Sequence, residues 1–169
     1  MRDATHTAQI TPGTIPLPGL LDIAGEALLA EFREELADSG YADLRPTHGC
    51  VFRFVREDGM RLTDLATHAG ITKQSAGEMV DELVELGYVE RTADPDDRRA
   101  KLICLTKRGE EAQRVGFGIF AELERRWAEH FGQERFDQLR ELLEEIAAAK
   151  APDAVPELSQ AALAGTRGK

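Results

Sequence analysis

A chain of 169 residues is long enough for one domain with a real core, or for one subunit of an intertwined dimer. Its 42% hydrophobic and 31% charged residues are those of a globular protein. Three features argue for a reduced, cytoplasmic setting without a membrane partner: no apolar run nears the roughly 18–20 residues of a membrane span, Met1–Leu20 has no basic stretch ahead of an apolar one, and two cysteines, Cys50 and Cys104, make no disulfide framework. The formal net charge of −10 weighs against tight, sequence-independent binding to nucleic acid. The acid, however, lies in the flanks: residues 61–108 hold eight basic and nine acidic groups, against five and ten in 1–60 and eight and twelve in 109–169. Within that middle segment Arg91, Arg98, Arg99, Lys101, Lys107 and Arg108 cluster, which leaves room for a local basic surface.

In chain order, residues 1–18 are rich in Thr and Pro and read as a mobile arm. Leu21, Ala24, Leu28, Phe32 and Leu36 fall at helical spacing, which predicts a helix over Leu20–Leu36, within a segment 19–44 that Gly40 helps to end. A second helix is expected to start at Pro46 or Thr47, carry Val51, Phe52, Phe54 and Val55, and stop near Asp58-Gly59. A short helix follows with Thr63 as its N-cap, and Gly70 breaks it. Another begins after Thr72, turns Ala76, Met79, Val80, Leu83 and Leu86 inward, and closes at Gly87. Tyr88–Thr92 and Ala100–Thr106 are rich in β-formers and read as two strands. The seven residues between them (Ala93–Arg99) are too many for a tight hairpin and predict a projecting, charged loop. Lys107–His130 and Gln133–Lys150 are amphipathic helices separated by Gly132, and 151–169 reads as a loose tail.

The segment Leu62–Leu83 is the most informative. Ala66 is small where two helices cross closely, Gly70 supplies the turn between them, and Ala76 and Met79 anchor the second helix on the first. The opposite face of that helix carries Lys73, Gln74, Ser75, Gly77 and Glu78, short polar groups suited to base edges and phosphates. On spacing alone an ordinary helical hairpin fits equally well. The charged β-hairpin directly after it tips the balance toward a winged helix-turn-helix. The fold expected is mainly α with a small β-wing, a DNA-binding lobe over 45–106 flanked by helices in 19–44 and 107–150.

Two stretches, "RLTDLATHAGITKQSAGEMVDELVELGYVER" and "DPDDRRAKLICLT", make Arg61–Thr106 resemble the MarR family of transcriptional regulators. The second is the more specific, an Asp-x-Arg in the wing (Asp97-Arg98-Arg99) leading into a strand that ends in Leu-Thr. The resemblance implies that Lys73, Gln74, Ser75 and Gly77 lie in or beside the major groove and that Thr72 caps the helix and touches a phosphate. It further implies that Arg98 and Arg99 bring a guanidinium to the minor groove, and that Asp97 orients the wing by accepting hydrogen bonds from an arginine or from loop amides. Glu78 and Glu82 depart from the family, whose members often carry Arg or Lys there. Either they face away from the phosphates, or Glu78 reads a cytosine amino group.

The resemblance also implies a homodimer, intertwined through the flanking helices, that binds a pseudo-palindromic operator on double-stranded DNA, usually as a repressor. Family members often take a small aromatic or anionic effector between the dimerisation helices and the DNA-binding lobe, for which His48, Phe52, Arg53 and Trp127 are the candidate lining residues here. The alternative is a winged-helix protein-interaction module without specific DNA affinity, suggested by the net charge and by the two glutamates. His48 and Cys50 stand at i, i+2 on one helix and diverge in direction, so no metal site is expected and Cys50 reads as structural. His68 and His130 are expected at the surface, and Gly116-Phe117-Gly118 lacks the preceding strand of a phosphate loop. No nucleophile–base–orienter set is readable from the spacing, and neither an enzymatic activity nor a cofactor is expected.

Overall fold

The structure, a computed structural model, describes residues 14–56, 58–97 and 99–150. Most of the expected N-terminal arm, the expected tail at 151–169 and Arg98 of the wing lie outside the described residues. The elements run α1 (Leu17–Leu36), α2 (Gly49–Phe54), β1 (Met60–Arg61), α3 (Leu62–Ala69), α4 (Lys73–Glu85), β2 (Val89–Ala93), β3 (Lys101–Leu105), α5 (Lys107–Phe131) and α6 (Gln133–Lys150). The result is the expected mainly helical chain with a small antiparallel sheet.

Helix α1 begins at Leu17, inside the segment read as an arm. Pro16 and Pro18 explain the shift, because a proline in the first helical turn gives up only an N–H that has no partner there anyway. A kinked turn over Ala37–Tyr41 follows, and a single 3-10 turn, Pro46–His48, leads into α2. Helix α2 stops at Phe54, four residues earlier than expected. Gln113 of α5 receives its end by donating from Nε2 to the carbonyls of Phe52 (2.6 Å) and Val55 (3.3 Å).

Helix α3 starts one residue before Thr63, with Arg61 in extended backbone at its N-cap. The expected Thr63 cap is therefore incorrect, because Met60 and Arg61 are claimed by the sheet. They pair with Ile103 and Leu102 as a third strand, giving the order β1-β3-β2. Two residues of strand have no periodicity of their own, which is why the sequence pattern passes over them. The other ladder runs from Val89↔Leu105 to Ala93↔Lys101, leaving the seven-residue loop 94–100.

The helix-turn-helix forms as its residues dictate. Gly70 adopts φ 65°, where a side chain would be strained, and its N–H and that of Ile71 close the end of α3. Thr72 then caps α4, its hydroxyl accepting from Ser75 N at 3.1 Å. Ala76, Val80 and Leu83 are fully buried, while Met79 and Leu86 are half-buried. A side chain such as Leu83 contributes on the order of 2 kcal/mol by leaving water. Val80 and Leu83, with Met79 and Leu86 packed against them, join Val51, Phe54 and Val55 of α2 and its end, Leu65 of α3, Tyr88, Val89, Ile103 of the sheet and Ala112 of α5 in one core. A second, smaller cluster of Leu36, Ile119 and Leu123 joins α1 to α5, with Phe32 stacked on Phe120 at 4.1 Å between ring centres.

The wing, α4 and α5 meet at Tyr88, which is wholly buried. Its N–H donates to Leu83 O (2.9 Å), and its carbonyl accepts from Thr106 N (3.0 Å) and Thr106 Oγ1 (3.2 Å). Its hydroxyl donates to Asp43 Oδ1 (2.6 Å) and accepts from Arg108 Nη2 (2.9 Å). Burial and the Asp43 carboxylate push the Tyr88 pKa up to about 12, so the hydroxyl stays protonated. The N-terminal turn of α5 crosses the Tyr88 backbone so closely that a Cβ on Gly109 would run into its carbonyl oxygen.

This contact predicts that Gly109→Ala destabilises the protein by about 2–3 kcal/mol. Gly118→Ala, on the same helix with nothing within 4 Å of its added Cβ, is expected to be neutral or stabilising by up to about 1 kcal/mol. Urea denaturation of both variants at one chain concentration checks the pair.

Candidate nucleic-acid interface

Helix α4 shows two faces. Its back is the buried stripe just described. Its front carries Lys73, Gln74, Ser75 and Glu78, all exposed, with Gly77 half-exposed beside Leu62. Thr72 is exposed as well, its Oγ1 shared between the Ser75 amide and, at 2.9 Å, the Ser75 hydroxyl. Gln74 Nε2 donates to Glu78 Oε1 at 3.0 Å, so the amide and the carboxylate form one polar unit on this face.

Glu82 does not share it. Its carboxylate is ion-paired with Arg45 and lies 3.2 Å from Nε2 of His48, a side chain only 1% exposed. Of the two glutamates that depart from the family pattern, Glu82 is turned toward the interior and Glu78 stays at the surface.

The wing is organised by a residue the motif reading passed over. Asp94, 5% exposed, accepts from Arg61 Nε (2.8 Å) and Nη2 (2.6 Å), and its other oxygen accepts from the amides of Asp96 (2.9 Å) and Asp97 (3.2 Å). The Asp96 amide first, then Arg61, and least the Asp97 amide hold its carboxyl below the usual range. Asp97 makes one such contact, accepting from Arg99 N at 3.0 Å. Asp97 thus takes a loop amide as expected, whereas the arginine partner belongs to Asp94. The signal available in the sequence was a second acid at the base of the loop, three residues before the matched Asp. What hid it was its partner Arg61, which lies 33 residues away.

Of the basic cluster, two members are spent internally. Arg91 pairs with Asp81 of α4, and Arg108 bridges Asp43, Tyr88 and the Leu86 carbonyl. Arg99, Lys101 and Lys107 are exposed and, like Lys73, have no carboxylate partner among the described residues.

Between α1, α2 and α5 lies an open cavity of about 120 Å³. Phe32, Leu36, Leu44, Phe52 and Phe117 form its apolar walls; Arg33, Arg45, His48, Arg53 and Gln113 supply its polar groups. Three of the four sequence-predicted lining residues, His48, Phe52 and Arg53, come together here. Trp127 does not. It sits almost four helical turns beyond Gln113 on α5 and packs edge-on against Phe131. Trp127 follows Ile119 and Leu123 at four-residue steps along α5 and so shares their side of the helix, but that stretch lies beyond the end of the cavity.

Cys50 Sγ rests 3.3 Å from Met79 Sδ and donates to Thr47 O, and burial pushes its thiol up. Cys104 touches Thr92 Oγ1 at 3.3 Å in the sheet. His68 and His130 are exposed.

A buried, tightly held helix pair with an exposed polar front, followed by a charged two-strand wing, is the architecture of a winged helix-turn-helix DNA-binding regulator. The MarR family matches over residues 42–100. The regulator PetP of Rhodobacter capsulatus is 33% identical over 78 residues, covering 42% of this chain and 47% of PetP, so the chain spans about half the length of that curated relative. Among solved structures, transcriptional regulator PA4135 is 30% identical, with 81% of this chain and 99% of that one covered and a TM-score of 0.65. The transcriptional repressor CouR, bound to a 23-mer DNA duplex, is 26% identical, with 83% and 99% covered and a TM-score of 0.68. CouR from Rhodococcus jostii RHA1 bound to p-coumaroyl-CoA is 28% identical, with 78% and 91% covered and a TM-score of 0.62. The chain belongs to the MarR family of winged-helix transcriptional regulators.

His48 generates a prediction within this site. Its Nδ1 accepts from Arg45 N at 3.1 Å, which places the ring proton on Nε2, toward Glu82. Burial, then Arg45, lower its pKa, against an opposing pull from Asp43. The unfolded chain therefore takes up a proton below about pH 6.5 that the folded protein resists. The stability linked to this group is complete above that pH and falls as the pH drops below it. His48→Gln is expected to flatten the decline in denaturation midpoint between about pH 6.5 and 5 that the wild type shows.

Proposed function

We propose that the protein binds a pseudo-palindromic operator as a homodimer and acts as a repressor that a small aromatic or anionic effector releases. The observation that carries the reading is the front of α4: an exposed polar run, Lys73–Ser75 with Gly77 and Glu78, on a helix whose back is locked into the core. A rigid helix with short polar groups at its N-terminal end suits the major groove, and Thr72 at the cap suits a phosphate. Lys73, Gln74 and Ser75 read bases or phosphates, with Gly77 allowing close approach. Glu78, already paired with Gln74, either keeps the amide in one orientation or takes a cytosine amino group. Arg98 and Arg99 follow the minor groove beside α4, and Asp97 holds Arg99's backbone in place.

Dimerisation is supported by apolar surface that the single chain leaves open. Leu20 and Ile23 of α1, Phe131 at the end of α5, and Leu139, Leu142 and Ile146 of α6 are all exposed large hydrophobics. Covering them with a second copy buries that surface and sets two α4 helices about a two-fold axis, with half-sites about 10–10.5 base pairs apart. In this reading 19–44 and 107–150 are the dimerisation segments and 45–106 the DNA-binding lobe. The cavity beside His48, Phe52 and Arg53 is the effector site. Support for both ligands comes from CouR, solved with a DNA duplex and with p-coumaroyl-CoA.

The test is a salt series on a palindromic duplex from the protein's own promoter and on a scrambled one. Expected are preference for the promoter duplex and a log–log salt slope of about −0.9 per phosphate neutralised. Arg99→Ala is expected to weaken binding about tenfold while the sedimentation coefficient of the dimer stays unchanged. Equal, weak binding to both duplexes would favour the protein-interaction module instead.

A further inference from the structure

The exposed front of α4 holds one carboxylate with no cation partner among the described residues. Of the acidic residues of this helix, Asp81 pairs with Arg91 and Glu82 with Arg45, and Glu85 stands about two turns beyond Glu78, at the helix end. Glu78 stands among the exposed polar groups and meets an amide: its Oε1 accepts from Gln74 Nε2 at 3.0 Å. The bond spans one helical turn and holds the two side chains together. Two acceptors are left without a partner among the described residues, Gln74 Oε1 and Glu78 Oε2. A carboxylate brought to DNA is repelled by the phosphates and by most of the major groove, where guanine N7 and O6, adenine N7 and thymine O4 all accept. Only the N4 amino group of cytosine and the N6 amino group of adenine donate there. Their flanks differ. Adenine N6 lies between two acceptors, its own N7 and the O4 of the paired thymine. Cytosine N4 has the guanine O6 on one side and a C5–H on the other, so a carboxylate meets one repelling neighbour instead of two.

We propose that Glu78 selects a cytosine in each half-site by accepting from its N4 amino group, and that Gln74 is the positioning residue that holds the carboxylate toward the groove. The inference rests on the reading that α4 faces DNA, and it deepens that reading by fixing a base. Glu78 then discriminates in two directions. Opposite cytosine its Oε2 accepts a hydrogen bond. Opposite any other base, and on random DNA, it is an uncompensated negative charge in the field of the phosphates and lowers affinity. The formal net charge of −10 opposes non-specific binding too, but from a distance and through screening salt, whereas Glu78 acts at contact. Lys73, exposed and without a carboxylate partner among the described residues, supplies the attraction at the same end of the helix. Attraction is thus general, and the choice of base falls to the one carboxylate on the face.

The experiment selects bound duplexes from a random pool with the full wild-type chain. Wild type, Glu78→Ala, Glu78→Gln and Gln74→Ala are then titrated at one salt concentration on three kinds of duplex: the selected one, the same one with each C·G pair of a half-site changed in turn to T·A, and a scrambled one. One cytosine per half-site is expected whose replacement weakens wild-type binding at least about tenfold and Glu78→Ala binding less than about twofold. Glu78→Ala is expected to bind the selected duplex about tenfold more weakly and the scrambled duplex about twofold more tightly. A residue that only stiffened the helix would shift both in the same direction. Glu78→Gln keeps the shape without the charge and is expected to exchange cytosine for adenine, whose N6 and N7 an amide meets together. Gln74→Ala is expected to lose about threefold of the cytosine preference and to keep wild-type affinity for the scrambled duplex. Enriched pseudo-palindromes in which no cytosine depends on Glu78, or equal weakening of the selected and scrambled duplexes in Glu78→Ala, would overturn the proposal and leave the DNA-facing role of α4 standing. Enrichment of no sequence by wild type would overturn both.

Discussion

Helix α4, the wing and the start of α5 are joined at one buried tyrosine. Tyr88 closes α4 through its amide, starts the wing, receives the cap of α5 at its carbonyl, and reaches with its hydroxyl to Asp43 and Arg108. The Arg108 guanidinium also lies 4.3 Å from the ring centre. A phenol so enclosed needs both of its polar partners, since an unsatisfied buried hydroxyl costs on the order of 1–3 kcal/mol. Helix α4, the wing and α5 are held together at this junction. The glycine at 109 follows from it: no side chain fits where α5 crosses the Tyr88 backbone.

From that junction the chain divides into surfaces with different physics. The lobe around α2, α3 and α4 is a closed core, with Val51, Leu65, Val80, Leu83 and Ile103 all but withdrawn from water. The outer helices are the reverse, with large apolar side chains left exposed along α1 and α6. A rigid lobe suits a helix that must present polar groups in fixed register, and the open helices suit association with a second copy. The cavity lies where the two regimes meet, which is where a small ligand has the most leverage over their relative placement.

Much of this was legible in the sequence because it rests on local rules. Thr72 and Thr106 cap their helices as hydroxyls before a helical run do, Gly70 takes the left-handed turn, and the 3.6-residue stripe of α4 marks its buried face. What the sequence hid depends on partners far along the chain. Strand β1 exists because β3 pairs with it, so Thr63 loses the cap that its type favours. Asp94 governs the wing through Arg61, and Glu82 turns inward through Arg45 and His48. Neither pair is visible as a spacing. Trp127 shares the four-residue spacing of Ile119 and Leu123 but not their surroundings, since periodicity gives a direction around the helix and not what stands opposite.

The central claim is that the front of α4 and the wing read a two-fold DNA sequence. The most direct measurement is selection of bound duplexes from a random pool by the intact protein, followed by sequencing. The account predicts enriched pseudo-palindromes with half-sites about 10–10.5 base pairs apart, and an altered preferred base in each half-site when Gln74 is replaced by alanine. Enrichment of no sequence, or of a motif that the Gln74 change leaves untouched and that lacks two-fold symmetry, would contradict it.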